Sequence, residues 1–535
     1  MTASLVLANG QIYTMDSSQP LASAVALRGE RVLAVGNDSE MEALLATNGQ
    51  KIDLGGMCVT PGLVDAHVHF QHFALSLKNV DLDGAVSLDG ALQRLAAFVA
   101  QVSAGDSGWV RGRGWSQDNW PDRVFPTAAD LDAVISDRPV YLAHKSGHAA
   151  WVNSVALRLC RINATTADPP GGQIQRDAGG SPTGILFEDA IGLITDHIPR
   201  PTPEGLVAAM RQAQHHCWEV GLTGLHDFDG RDCFVALQIM HERRELGLRV
   251  IKNVPVYRLE HALGVGLRSG FGDEWLRIGG VKIFADGALG SRTAAMIDPY
   301  ESEPENRGIV VTDKEEMLEK ARDAAQGGLS LTIHAIGDRA NHDVLDVFDL
   351  LRKEERQNGG TRLRHRIEHV QVLHPDDLDR LAQLGIIASM QPTHATSDME
   401  MADRYWGSRA RYSYAWRSML DSGAELVFGS DAPVEKIDPL SGIHAAVTRR
   451  RANGHPEPGG WYPEQRLTMA ETIHAFTTAA AITSGRERHL GSIASGKLAD
   501  LTFYDLDIFT ISPDELLDTR VTGTMVGGVF RYRTW

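Results

Sequence analysis

The fold can be worked out from one stretch, VDAHVHF, at residues 64–70. It begins as an apolar strand and ends on two histidines, His67 and His69, that are separated by a single residue. Side chains two positions apart on a strand point to the same face, so both imidazoles can reach one metal ion. Two ordinary histidines near a turn are the alternative, because histidine is also common as a polar core residue.

The rest of the chain repeats this strand pattern. Eight apolar, β-branched runs of strand length occur at 58–66, 221–228, 249–257, 276–284, 329–334, 363–369, 385–391 and 425–430. Helical patterns such as KEEMLEKARDAAQ (314–326) lie between most of them. Eight strands alternating with helices predict an α/β fold, a closed parallel (β/α)8 TIM barrel.

Two further regions interrupt or flank the predicted barrel. Both ends of the chain contain short strands with turn signals, which predict one small β-sandwich made from residues 1–57 and 488–535. The barrel domain then spans 58–487. About 150 residues separate the first two strands, where an ordinary loop has roughly 2–6. We therefore expect residues 71–220 to form an insertion that acts as a lid and shapes the substrate pocket.

Three later strands end on residues that can bind metal. LSLTIHAIGD (329–338) places His334 on the face opposite its apolar residues, RHRIEHV ends on His369, and ELVFGSDAP carries Asp431 two residues before a proline. Barrel enzymes place their chemistry where the strands meet these loops. Together with the two histidines of the first strand, this pattern predicts a metal site at the mouth of the barrel.

Lys282 lies in the fourth strand, in IGGVKIFADGALGSRTA (278–294). By alternation it points away from the helices, and a buried ammonium is costly unless it is paired or loses its proton. A neutral amine can react with CO₂ to give a carbamate that bridges two cations. A salt bridge to Asp286 or Asp431 is the alternative, and the spacing alone favours it.

Candidate substrate residues come from other parts of the sequence. His148 and His394 could donate to a carbonyl oxygen or orient the substrate, or they could be ordinary polar residues. Trp115, Trp120 and Glu188 are predicted to line the lid. Plain packing within the insertion is the alternative for the two tryptophans.

Composition and missing motifs exclude several classes of protein. The chain of 535 residues has 52 lysines and arginines against 69 aspartates and glutamates, a net charge of −17. This balance argues against nucleic acid or an anionic membrane as a partner. The four cysteines have no CxxC spacing, and GxGxxG, HExxH and GxSxG are absent. Without a signal sequence or a long apolar run, we expect a soluble cytoplasmic protein.

Several motifs in this order resemble the amidohydrolase superfamily, and more closely its family 3 branch, which includes N-substituted formamide deformylase-like proteins. They are DAHVH (65–69), the lysine of GVKIFADGALGSRTA (280–294), HAIGD (334–338), RIEH (366–369) and FGSDAP (428–433). The resemblance covers nearly the whole chain. It extends to GWSQDNW (114–120), SGHAAWVNS (146–154), TGILFEDA (183–190), SMQPTHA (389–395) and GSIASGKLADLTFYD (491–505).

The resemblance implies a centre of one or two divalent ions, with zinc expected from the nitrogen and oxygen ligands. His67 and His69 would hold the more buried ion, and His334 and His369 the outer one. A carboxylated Lys282 would bridge the two ions. Asp431 would bind the first ion and act as general base.

The expected function is therefore that of a metal-dependent amidohydrolase. Metal-bound hydroxide would attack an amide, N-formyl or N-acyl carbonyl, and Asp431 would return the proton to the leaving nitrogen. Hydrolysis of a lactone, ester or cyclic amide, deamination, decarboxylation, and a metal-free scaffold are the alternatives. The expected partner is a small amide-like molecule, and the sequence leaves a homodimer open.

Overall fold

The structure is a computed structural model, and it describes residues 1–101, 108–145, 148–357, 362–456 and 458–535. Its contacts divide the chain into two compact units. The first comprises Met1–Phe73 with Val207–Trp535, and the second comprises Ala74–Leu206.

The first unit contains the predicted barrel. Within its described residues, eight parallel strands form one sheet in which neighbours in sequence are neighbours in space. We number them β1 to β8: Leu63–Val68, Leu222–Asp227, Arg249–Pro255, Leu276–Phe284, Leu331–Ala335, Arg366–His369, Ile387–Met390 and Leu426–Phe428. The prediction of a (β/α)8 barrel is confirmed.

The first predicted strand is in fact two strands. Cys58–Pro61 pairs with Gln11–Tyr13 and Leu501–Tyr504 outside the barrel, and β1 begins only at Leu63. Gly62 lies between the two strands. Only glycine fits there, because a Cβ atom at this position would lie 2.3 Å from two side-chain atoms of Thr223. This close backbone passage explains why one apolar run in the sequence serves two sheets.

Hydrogen bonds beyond the end of β8 close the barrel. The Asp431 backbone N–H donates to the His67 carbonyl oxygen at 2.7 Å, and the His69 N–H donates to the Ala432 carbonyl oxygen at 2.9 Å. The loop after β8 is thereby fixed beside the last residues of β1.

Both ends of the chain build a β-sandwich in the first unit, as predicted. One sheet contains Ala3–Ala8, Ala24–Arg28, Arg31–Gly36 and Leu45–Asp53. The other contains Gln11–Tyr13, Leu21–Ala22, Cys58–Pro61, Leu501–Tyr504, Val521–Val526 and Val529–Arg533. Leu7, Val59 and Phe503 share one buried apolar core, so the two termini stabilise each other.

The second unit has a sheet of its own. Among its described residues the sheet contains Val80–Asp81, Val110–Trp115, Val140–His144, Ala149–Val152, Gly172–Arg176 and Pro182–Glu188. Trp115, Trp120 and Trp151 pack together in its core. The long insertion therefore folds around its own apolar core, and its role as a lid stays a prediction.

Helices connect most of these strands. The α-helices of the described residues are Asp38–Glu42, Phe70–Ser76, Leu88–Gln101, Ala128–Asp132, Ser154–Leu159, Gly192–Thr195, Pro203–Glu219, Arg231–Glu242, Leu259–Gly264, Lys314–Gln326, Asp338–Gln357, Arg380–Leu384, Pro392–Trp406, Trp416–Asp421, Pro439–Thr448, Met469–Phe476 and Thr478–Thr483. Short 3₁₀ turns are Gln117–Asn119, Asp189–Ile191, Val256–Arg258, Pro375–Asp377, Gly407–Tyr412, Pro463–Gln465 and Pro513–Leu517. Among the described residues, no helix has the length and apolar character needed to cross a bilayer.

Replacing Gly62 by alanine should destabilise the protein, because the added methyl group has no room against Thr223. Overpacking of this kind costs about 1–3 kcal/mol, which chemical denaturation can measure. Gly264→Ala is the matched control, since a Cβ atom there meets nothing within 4 Å. Equal unfolding free energies for the two variants would contradict the prediction.

Candidate metal centre

Asp431 brings the histidines of β1 together. Its Oδ1 lies 3.7 Å from His67 Nε2 and 3.5 Å from His69 Nε2. One donor atom from each of the three residues lies within 4.8 Å of the others. The barrel closure produces this arrangement, because it fixes Asp431 against the backbone of His67.

The same carboxylate faces a second pair of histidines. His369, His394 and Asp431 also offer ligand atoms within 4.8 Å of one another, and His394 Nε2 lies 3.8 Å from Asp431 Oδ2. The ring centroid of His334 lies 4.6 Å from that of His369. The structure therefore gathers the predicted histidines of β1 and β6, together with His394, around one carboxylate, and His334 of β5 lies beside His369.

Two of these residues have a strained backbone. His369 has φ of 77° and Asp431 has φ of 60°, in the left-handed region that favours glycine. Alternation from Arg366 and Glu368 would turn His369 away from the barrel interior. The positive φ instead brings its ring to 4.9 Å from the ring of His67. Such strain costs about 1–3 kcal/mol per residue and is concentrated at functional sites.

Lys282 is buried beside these histidines. Its Nζ lies 4.7 Å from the ring centroid of Phe228 and 4.9 Å from that of Phe284. Among the described residues, no carboxylate oxygen forms an ion pair with it within 4.0 Å, and Asp286 instead accepts the N–H groups of Ala295 and Gly337. The alternative of a salt bridge to Asp286 or Asp431 is therefore not found. Burial lowers the pKa of the Lys282 ammonium.

Burial keeps four histidines of the site neutral. It lowers the pKa of His67 and His369 well below the usual range, that of His334 to about 3 and that of His394 to about 4. Burial also raises the pKa of the Asp431 carboxyl. Neutral imidazoles are the form that binds metal ions.

Hydrogen bonds orient the imidazoles. His67 Nδ1 lies 2.6 Å from Glu368 Oε2, and His369 Nδ1 lies 2.8 Å from Gln391 Oε1. Each ring donates through Nδ1 in these pairs, which leaves Nε2 with a lone pair for a metal ion. His334 is held the other way, since its Nε2 lies 3.0 Å from the Gly287 carbonyl oxygen. Its Nδ1 is then the nitrogen that can bind metal.

Sequence reasoning missed three residues that support the site. Glu368 precedes His369 in RIEH, and Phe228 and Asp229 follow β2 in HDFDG (226–230). The Phe228 ring stacks on the His67 ring, with 3.9 Å between the ring centroids. Asp229 Oδ1 lies 3.2 Å from His69 Nδ1. The polar residues of HDFDG at the end of β2 could have indicated this, because they stand where barrel strands carry functional residues.

Asp229 also holds a histidine that the sequence did not single out. His72 Nδ1 lies 2.5 Å from the Asp229 Oδ1 atom that contacts His69. Burial alone would raise the pKa of Asp229, but the hydrogen bonds from the two histidines lower it. A charged Asp229 therefore fixes the orientation of His69 from behind.

The remaining predicted residues belong to the second unit. Trp115 and Trp120 are buried in its core, where their indole N–H groups donate to backbone carbonyl oxygens of Leu142 and Ala85. This agrees with the packing interpretation, and a contact with substrate stays a prediction. His148 and Glu188 are exposed, and His148 Nδ1 lies 3.0 Å from Glu188 Oε2. Ser146 and Gly147 of the predicted SGHAAWVNS motif lie outside the described residues.

The donor set fits a divalent cation. Asp431 Oδ1 and both ring nitrogens of His394 are buried without a hydrogen-bond partner among the described residues. Buried polar atoms are normally paired, so such atoms in one cluster indicate a missing ligand. Imidazole nitrogens with a carboxylate are the ligands of catalytic zinc sites.

A barrel with this centre at the carboxyl ends of its strands defines the class of metal-dependent barrel hydrolases. A sequence model of the amidohydrolase family, family 3, matches residues 50–532. The chain belongs to the amidohydrolase family, and it is a metal-dependent hydrolase of carbon–nitrogen bonds other than peptide bonds.

Individual relatives cover almost the whole chain. Protein LONG AFTER FAR-RED 3 of Arabidopsis thaliana is 33% identical over 99% of this chain and 91% of its own length. N-substituted formamide deformylase of Arthrobacter pascens is 29% identical over 99% of this chain and 98% of its own. A crystal structure of a metal-dependent hydrolase from Pyrococcus horikoshii superimposes with a TM-score of 0.78 at 28% identity, covering 95% of this chain and 99% of that one.

Asp431→Asn should lose most of the bound metal, because both histidine pairs face this one carboxylate. Elemental analysis after dialysis measures the change. Asp421→Asn is the control, since it removes an equal charge from an exposed surface pair with Arg417. An Asp431→Asn protein that keeps the metal content of the parent would show that the carboxylate is not a ligand.

Proposed function

We propose that the chain hydrolyses the C–N bond of an N-substituted formamide or a similar small N-acyl amide. The observation that carries the proposal is the carboxylate of Asp431 between two pairs of histidines. Similarity over nearly the full length to a relative named N-substituted formamide deformylase supports this choice of substrate.

We propose zinc as the metal, held by His67, His69 and Asp431, with His334 and His369 available to a second ion. When bound, zinc polarises a carbonyl oxygen and lowers the pKa of water from 15.7 to about 7. The chain contributes the fixed orientation of its ligands, since Glu368 and Asp229 hold the imidazoles of β1 from outside.

Asp431 moves the proton in this proposal. Its Oδ1 accepts no hydrogen bond from any described residue, so it can take a proton from an attacking water. The same oxygen then returns the proton to the departing amine nitrogen. The positive φ of Asp431 holds the carboxylate in place for both transfers.

His394 supplies a donor on the other side of the carboxylate. Its ring is buried, neutral and without a hydrogen-bond partner among the described residues. One of its nitrogens carries a proton in the neutral form, and this N–H donates to the substrate carbonyl oxygen as negative charge develops there.

Lys282 completes the proposal as the bridge of a centre with two ions. A carbamate formed on the Lys282 amine from CO₂, with loss of one proton, would supply oxygen ligands for divalent ions. Its burial beside the histidines, without a carboxylate partner among the described residues, supports this role.

The zinc-loaded protein should hydrolyse N-substituted formamides and release formate and amine in equal amounts. A chelator should abolish the reaction, and added zinc should restore it. Asp431→Asn, assayed with zinc restored and with its rate expressed per bound zinc, should reduce kcat by about 10²–10⁴-fold because the general acid and base is lost. Enzymatic formate determination and amine chromatography measure both products.

Asp421→Asn is again the matched control and should turn over formamides at the rate of the parent. A parent protein that binds zinc but releases no formate from any member of a formamide panel would refute the proposed substrate. Equal kcat in Asp431→Asn and the parent would refute the assigned role of Asp431.

Lys282→Ala should lower the zinc content from two equivalents to one, because the bridge between the ions is lost. Elemental analysis of protein loaded in the presence of bicarbonate measures this change. Lys353→Ala, which alters an exposed surface pair with Asp349, should leave two equivalents. One equivalent of zinc in both the parent and Lys282→Ala would show that Lys282 does not bridge two ions.

A further inference from the structure

A polar cavity enters the barrel from the amino-terminal ends of β4, β5 and β6. Its volume is ≈ 280 Å³, near the lower limit of about 300 Å³ for small-molecule pockets. Arg277 stands at the start of β4, Ser330 precedes β5, and Arg364 and Arg366 stand at the start of β6. The candidate metal centre lies at the opposite ends of the same strands.

The lining of this cavity is strongly basic. Four arginines and one histidine line it, and none of its lining residues is an aspartate or glutamate: Arg277, Arg362, Arg364, Arg366 and His226. The chain as a whole carries a net charge of −17, so this composition is opposite in sign to that of the protein. A cavity lined by one sign of charge attracts ligands of the other sign.

Two of the four arginines are already neutralised. Arg364 forms a bidentate ion pair with Glu487, with N···O distances of 3.0 Å and 2.6 Å. Arg366 Nε lies 2.7 Å from Glu368 Oε1. These two guanidinium groups therefore shape the cavity, and their charges are balanced from outside it.

The other two arginines lack a carboxylate partner among the described residues. Arg277 forms no ion pair within 4.0 Å, and its Nε is buried without a hydrogen-bond partner. Arg362 is exposed at the rim of the cavity and donates to the carbonyl oxygen of Leu384. Buried N–H donors are normally paired, so the unpaired Nε of the half-buried Arg277 side chain is a donor that an anion in the cavity can satisfy.

We propose that this cavity is a binding site for phosphate, either as the free ion or as the phosphoryl group of a small metabolite. A doubly charged oxyanion matches the two uncompensated guanidinium groups, whereas a single carboxylate would balance one of them. Guanidinium forks suit the oxygen geometry of phosphate. The cavity would thus be a ligand site separate from the metal centre.

Calorimetric titration of the zinc-loaded protein with inorganic phosphate and with glycerol phosphate, in chloride buffer, tests the proposal. The parent should bind at least one of the two. Arg277→Ala should bind about tenfold more weakly, the value of one charged hydrogen bond. Arg277→Lys keeps the charge without the fork, and its affinity should fall between those of Arg277→Ala and the parent.

Arg211→Ala is the matched control, because it removes an equal charge from an exposed pair with Glu245 and should bind like the parent. Tighter binding of glycerol phosphate would identify a phosphorylated metabolite as the ligand, and equal binding would identify the free ion. Binding that is unchanged in Arg277→Ala would place the anion elsewhere, including at zinc, and overturn the proposal. Absence of binding by both probes would overturn it as well.

Discussion

The barrel interior depends on one buried carboxylate, that of Glu368. Its two oxygens contact His67 Nδ1 at 2.6 Å and Arg366 Nε at 2.7 Å, and the side chain is fully buried. Arg366 and Lys282 both lie against the ring of Phe228. Without Glu368, the guanidinium of Arg366 would be buried with no anion beside it, and an uncompensated buried charge costs about 3–5 kcal/mol.

The same contact determines how the site presents its ligands. Glu368 ties β6 to β1 across the barrel and makes His67 donate through Nδ1, so that its Nε2 faces Asp431. Asp229 does the same for His69 from β2. The hydrogen bond from the Asp431 backbone N–H to the His67 carbonyl oxygen holds the third ligand against them. The strain at His369 and Asp431 persists because these surrounding contacts fix the backbone.

The sequence could predict which strand ends carry chemistry, but not how these residues support one another. Period-2 alternation placed His334 and Lys282 in the interior, and the strand ends placed His369 and Asp431 beside the histidines of β1. The partnership of Glu368 with His67 depends on the stagger of distant strands, which alternation within one strand cannot give. The split of the first strand at Gly62 also depends on a neighbouring strand, because Thr223 in β2 leaves no room for a side chain at this position.

A chain of side-chain contacts leads from the metal centre to the amino-terminal end of β6. Asp431 lies beside His67, His67 contacts Glu368, and Glu368 pairs with Arg366 at the start of β6. Arg366 also holds His226, whose Nδ1 lies 3.1 Å from its Nη1. Because Glu368 balances the charge of Arg366, Arg366 has no free charge to offer an anion bound in the cavity. The anion would therefore be held by Arg277 and Arg362, and the contact between Glu368 and His67 would stay intact.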